Sequence, residues 1–338
     1  MDFERVAIIG VNCISASIGM KLKEQKKPPE IVGYDGEAVA ADLARSMGAF
    51  DRAERKLGRA CQGADLVIVA VPLSAIRETF AAIAPHLEPG CLVTDTAPLK
   101  APVMRWAKET LPRNVYFAGG HLVPNPAIAE FDPLEGLDEA SADLLVEALY
   151  FFTAPGDLPN ADAFVDLAVA LDAHPYFIDA TEHDGLHAGV EGLPKLLAVA
   201  LLRATVGAPG WEEMRKLAGR SFAAATAAAN SDGNNERRTA VFLNRENVLL
   251  HLNVLLSELI QLRDLLRQDD PEPFEEIVAA AVEEREGWIR DRGRGMWTKE
   301  RVFSKEAIPT LSRQLSQMIF GDSLTRRLKE GANRSREK

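Results

Sequence analysis

Short apolar runs at residues 6–9, 31–34, 66–71, 91–94 and 115–118 recur through the first half of the chain, each separated from the next by a helix-length segment. This spacing constrains the fold more than any other feature. Brief apolar runs without polar alternation belong to strands buried on both faces, and parallel neighbours need a crossover long enough to hold a helix. The pattern predicts an α/β fold with a doubly wound parallel sheet. Residues 148–153 and 174–178 extend the series as a sixth and a seventh strand, with a helix over 161–173 between them.

From about residue 181 the pattern changes. Segments with helical spacing follow one another at 192–206, 211–230, 243–268 and 273–290, with polar breaks at 231–235 and 268–271. An all-helical second domain is expected. Residues 248–260 are apolar on more than one face, which requires burial between neighbours or across a subunit interface. The chain divides on this reading into a sheet domain at 1–180, a helical domain at 181–325 and a basic flexible tail at 326–338.

Composition narrows the function. A net charge of −11 argues against a nucleic-acid binder, because phosphate contacts need a clustered basic surface. The basic cluster Arg326, Arg327, Lys329, Arg334, Arg336 and Lys338 lies in the tail, with little apolar content to fold it. No apolar run approaches the ~20 residues that span a bilayer, and the first residues lack a signal-peptide pattern, so a cytoplasmic location without membrane contact is expected. Cys13, Cys61 and Cys91 lie apart with no Cys-x-x-Cys spacing, which suggests neither a disulfide framework nor a zinc site.

A doubly wound sheet binds a dinucleotide by setting its pyrophosphate against the first helix N-terminus, where unpaired N–H groups and the helix dipole favour negative charge. The turn after the first strand reads Gly10-Val-Asn12-Cys-Ile14-Ser15. Glycines normally hold three of its positions, which here are Gly10, Asn12 and Ser15. Asn tolerates a left-handed backbone, and Ser is small and can donate to phosphate. The competing reading is an ordinary strand-to-helix turn. Asp35 ends the second strand, where a carboxylate can accept from the adenosine ribose hydroxyls and would repel a 2′-phosphate, favouring NAD over NADP. Val71-Pro72 carries the chain out over the sheet edge where a nicotinamide–ribose would lie, and Asp95-Thr96 closes the fourth strand in like fashion. Singly these are turn chemistry; in order, at strand C-termini, they describe a Rossmann-type dinucleotide-binding domain.

Three further motifs keep this order: Asp95-Thr-Ala-Pro-Leu-Lys100, Gly119-Gly120-His121-Leu122, and His183-Asp184 followed by Glu191-Gly-Leu-Pro-Lys195. Together they resemble the motifs of the prephenate dehydrogenase family, whose members oxidise prephenate or arogenate on the way to tyrosine, and the resemblance runs from about residue 5 to 265. It implies an NAD-dependent oxidative decarboxylation, a homodimer built through the helical domain, and a prephenate-like dicarboxylate as substrate. It also marks departures. A Ser of the strand-four motif is Pro98, two histidines of the second-domain motif are Gly192 and Lys195, and a Thr-Arg pair associated with carboxylate binding aligns with Thr226-Ala227.

The reaction takes a hydride from a carbinol carbon while its hydroxyl loses a proton, so the protein must supply an acceptor for that hydroxyl and cations for carboxylates. His121, after a Gly-Gly turn, is the candidate acceptor, since neutral imidazole offers one lone pair. His183, Asp184 and Lys195 are the candidate substrate residues, with Asp184 alternatively capping the helix that follows and Lys195 alternatively solvated. Arg220, Arg237, Arg238 and Arg245 are possible substitutes for the missing arginine, and Lys100 is either a cation near the cofactor or an ordinary helix-start lysine. His187, four residues after His183, has metal-compatible spacing without a third ligand, so no metal is expected. The departures leave a second class open: a catalytically impaired or repurposed relative that binds a small anionic ligand or partner without turnover.

Overall fold

The computed structural model describes residues 3–125, 136–156, 158–229 and 234–293. Eight strands form one sheet: β1 (Arg5–Ile9), β2 (Glu30–Tyr34), β3 (Arg52–Ala53), β4 (Leu66–Val69), β5 (Leu92–Asp95), β6 (Tyr116–Val123), β7 (Leu149–Thr153) and β8 (His174–Phe177). Their order is β3-β2-β1-β4-β5-β6-β7-β8. The order reverses between β1 and β4, and beyond the strands' C-terminal ends at such a reversal is where sheets of this kind take ligands.

Period-two alternation sends Val6 and Ile8 of β1 to one face and Ala7 and Ile9 to the other, and all four are buried. One core holds Val6, Ile8, Ile18, Leu66, Ile68, Phe152 and Phe164; the other holds Ala7, Ile9, Val67, Phe80, Val103 and Phe117. Helices α1 (Cys13–Lys23), α2 (Ala38–Ser46), α3 (Leu57–Cys61), α4 (Ile76–Ile83), α5 (Ala101–Thr110) and α6 (Ala161–Ala170) connect the strands. The all-parallel expectation fails at one place, because β6 and β7 pair antiparallel, with His121 opposite Phe151. Between them the described residues hold short 3₁₀ turns at Leu137–Glu139 and Ala142–Leu145, and antiparallel neighbours need no helical crossover. α6 restores the parallel crossover to β8.

Beyond β8 the chain is helical: α7 (Ala180–His187), a π turn at Ala188–Gly192, α8 (Leu193–Val206), α9 (Trp211–Leu217), α10 (Arg220–Thr226), α11 (Asn234–Leu243), α12 (Arg245–Leu265) and α13 (Glu272–Gly293). The single helix expected over 211–230 breaks before α10, where Gly219 is extended at φ −116°, ψ −154°. From Ala180 to Val206 the helical run is continuous for 27 residues, and its length and composition would suit a bilayer span, contrary to expectation. Yet it carries the buried His183 and Asp184 and packs against α12. A Cβ on Gly189 would lie 3.0 Å from the His251 ring, and one on Gly192 would lie 3.3 Å from Val248. The described residues belong to one compact unit, and the expected tail at 326–338 lies outside them.

Candidate active site

The reacting corner is built where β6 runs on past its pairing with β5 and continues against β7. A Cβ on Gly120 would lie 2.5 Å from the Asp95 carbonyl oxygen and 2.7 Å from Thr94 Oγ1, so the Gly-Gly pair lets β6 close on the end of β5. His121 follows, partly exposed, with its Nδ1 2.8 Å from His183 Nε2. His183 is buried and sets its Nδ1 3.0 Å from Asp184 Oδ1. The Asp184 carboxylate also accepts from the backbone N–H groups of Lys100 at 2.7 Å and Ala101 at 2.9 Å. Asp184 therefore caps α5 from another element, whereas α7 is capped by Asp179. With both oxygens taken and almost no exposed surface, Asp184 orients His183 and is not open to a substrate, which corrects the expected contact.

Hydrogen-bond bookkeeping sets the tautomers of this chain. Asp184 accepts throughout, so His183 donates from Nδ1. When His183 is neutral its Nε2 accepts from His121 Nδ1–H, leaving the lone pair of His121 on Nε2. Burial, then the electrostatic influence of the neighbouring His183, His187 and Lys100, holds His121 well below the usual imidazole range. It is an unprotonated acceptor at neutral pH.

Beneath this relay lies a wholly buried ion pair. Lys100 Nζ is 2.6 Å from Asp95 Oδ2 and donates to the Gly120 carbonyl. Asp95 also accepts from Ala97 N–H at 2.8 Å and Gly120 N–H at 3.1 Å. Burial raises the Asp95 carboxyl and lowers the Lys100 amine, each against the attraction of the other. The Asp95 side chain is thus sealed from a cofactor, and Lys100 is neither a solvated helix-start lysine nor a surface cation. Their five-residue spacing was visible in sequence, but the pairing needed the turn that folds Lys100 back under Gly120.

A pocket beside the relay is lined by His187, Glu191, Lys195, Asn244 and Val248, among others. Lys195 pairs with Glu191 at 3.7 Å. Asn244, which sequence reasoning missed, is buried at the start of α12 and donates to the Asp184 carbonyl oxygen at 2.7 Å. Burial, followed by the expected charges of His183 and Lys195, pushes His187 down to about 4. Among the arginines considered, Arg220 and Arg245 are exposed, the latter beside Glu246 at 3.2 Å, and the side chains of Arg237 and Arg238 lie outside the described residues. Thr226 spends its hydroxyl on the Phe222 carbonyl oxygen at 2.7 Å. Among the described residues no group of three or more His, Cys, Asp or Glu is arranged to hold a metal.

The cofactor end lies along the same rim. Gly10 takes φ +97°, and a Cβ there would meet the Ala70 carbonyl oxygen at 2.5 Å, so glycine is required. Asn12 is extended at φ −148°, so left-handed tolerance is not its role. Asn12 and Ser15 instead close a capping box at the start of α1. Asn12 Oδ1 accepts from Ser15 N–H and Ser15 Oγ from Asn12 N–H, each at 2.9 Å, while Asn12 Nδ2 donates to the Ala70 carbonyl oxygen at 3.0 Å. The Ser15 hydroxyl is thereby committed within the loop. The Cys13 and Ile14 amides begin the helix without intrahelical acceptors, and no acidic residue stands in the first turn. Asp35 accepts from Val11 N–H at 2.8 Å and from Glu37 N–H at 2.7 Å, keeping its remaining lone pairs at the crevice. Val71, Pro72 and Thr96 follow the C-terminal ends of β4 and β5. These groups fit a dinucleotide.

Comparison with known proteins agrees with this fold. The model of the prephenate dehydrogenase nucleotide-binding domain matches residues 18–172, starting just past the divergent loop, and that of the prephenate dehydrogenase dimerization domain matches residues 179–280. The prephenate dehydrogenase of Lactococcus lactis subsp. cremoris is 29% identical over 201 residues, covering 59% of this chain and 53% of that protein, so the chain spans about half the length of that relative. The prephenate dehydrogenase of Bacillus subtilis is 23% identical over 300 residues, covering 86% of this chain and 78% of that protein. A likeness of fold extends to the crystal structure of prephenate dehydrogenase from A. aeolicus in complex with hydroxyphenyl propionate and NAD+. Its TM-score is 0.74 at 21% identity, covering 85% of this chain and 99% of that one. With both domain models matched in succession on either side of the His121–His183 contact, the chain belongs to the prephenate dehydrogenase family.

Proposed function

We propose that the protein is an NAD-dependent dehydrogenase that oxidatively decarboxylates prephenate or arogenate. The observation that carries this reading is the Asp184–His183–His121 relay, which leaves a neutral acceptor at the mouth of the crevice. His121 Nε2 takes the proton of the substrate's ring hydroxyl as the hydride leaves its carbon, and the imidazolium formed is stabilised through His183 by Asp184. His121 can return the proton as CO2 departs and the ring oxygen becomes phenolic. When bound, NAD supplies the nicotinamide that accepts the hydride. Gly10, Asn12, Ile14 and Ser15 shape the pyrophosphate cradle, Asp35 faces the adenosine ribose, and Val71, Pro72 and Thr96 border the nicotinamide end. Lys195 supplies positive charge for a substrate carboxylate. The reading carries with it a cytoplasmic location and a homodimer, and the dimer is supported by the dimerization-domain match and by the exposed apolar side chains of α12.

The test is formation of NADH from NAD, or of NADPH from NADP, with prephenate or arogenate as substrate. His121→Ala should lower kcat by about 10²–10⁴ with the circular dichroism spectrum unchanged. No turnover with any of the four substrate–cofactor pairs would overturn the reading. Absence of saturable NADH binding as well would favour the repurposed relative.

A further inference from the structure

α7, the π turn and α8 form one rod that carries His183, His187, Glu191 and Lys195. In an unbroken α-helix, residues eight apart lie roughly 80° apart around the axis; one residue inserted by a π turn reduces this to roughly 20°. The turn at Ala188–Gly192 lies between His187 and Lys195, and both line the pocket. Gly189 and Gly192 admit His251 and Val248 of α12, which hold the rod in this register.

His187 also reaches the reacting corner. Its ring stacks on His183 with centroids 6.1 Å apart and lies 5.9 Å from the ring of His121. His183 is committed to Asp184 and His121, whereas the described residues give the His187 ring only these ring contacts. We infer that His187 is a substrate-contacting residue of this protein: its ring N–H donates to the substrate carboxylate that Lys195 attracts, holding the substrate with its hydroxyl toward His121. This rests on the dehydrogenase reading. Burial first, then repulsion from the neighbouring His183 and Lys195, leaves His187 a neutral donor near pH 7 against the attraction of Asp184. Lys195 then provides the charge and His187 the direction.

The test compares His187→Leu with His187→Gln in the full chain, with wild type alongside. His187→Leu should raise KM for prephenate about ten- to a hundredfold, as expected for loss of a hydrogen bond to a charged group, with KM for NAD and NADH binding unchanged. His187→Gln, which keeps a donor, should recover part of that loss. A wild-type KM for prephenate in His187→Leu would overturn the inference while leaving the dehydrogenase reading intact. A wild-type enzyme without turnover would instead remove the reading on which it rests.

Discussion

His183 and Asp184 show how far a residue pair can be judged without its surroundings. Their adjacency suggested an oriented imidazole, but the identity of the group being capped came from Lys100 and Ala101, over eighty positions away in the chain. Asp184→Asn puts an N–H against donors on every side and disturbs the His183 tautomer. We expect kcat to fall by about 10²–10⁴ with NADH binding retained, measured by steady-state kinetics and fluorescence titration. His187 carries a stability prediction of its own. Its folded value near 4 lies below the unfolded imidazole value of 6.5, so between those values the unfolded chain binds more protons and stability falls as pH drops. Above pH 6.5 its contribution is constant. His187→Gln should flatten the urea midpoint between pH 6.5 and 4 relative to wild type, and parallel curves for the two proteins would refute that assignment.

At the scale of elements, helix caps and buried pairs account for what the first loop and the Gly-Gly pair within β6 do. The Asn12–Ser15 box stabilises α1, so Asn12→Ala should cost about 1 kcal/mol in urea unfolding and Asn12→Gly only a few tenths. Because the Asn12 side chain points to Ser15 and Ala70, Asn12→Gly should bind NADH at least as tightly as wild type. Marked weakening would show that the side chain itself holds the cofactor. The Lys100–Asp95 pair joins β5, α5 and β6 under the relay. Lys100→Met strands a buried carboxylate and should destabilise the fold by about 3–5 kcal/mol, with part recovered in the Asp95→Asn, Lys100→Met double variant. Strand periodicity announced seven of the eight strands, but the antiparallel turn into β7 and the π turn have no residue signature of their own. Both are choices of direction or register that tertiary packing makes.

At the scale of the whole molecule, α12 presents Leu249, Leu250, Val254, Leu256, Leu259 and Ile260 between 46% and 63% exposed. A row of this kind is expected to be covered in a homodimer. Sedimentation at micromolar concentration should give twice the 36.9 kDa chain mass. Leu250→Asp with Val254→Asp should shift the protein to monomer, and a wild-type chain that sediments as a monomer would refute the dimer.

The sequence by itself determined the sheet domain, the helical half and the place of the crevice, because buried strand periodicity and glycine at a left-handed turn are local requirements that few residues satisfy. It also marked His121 and the His183-Asp184 pair as chemistry-bearing. Only the tertiary structure decided what they do. Whether Asp184 faces a substrate or α5, whether Lys100 meets water or Asp95, and whether His187 shares a face with Lys195 all depend on burial and register. A side chain's partner is set by the elements packed against it, and a residue's neighbours in sequence carry no information about those.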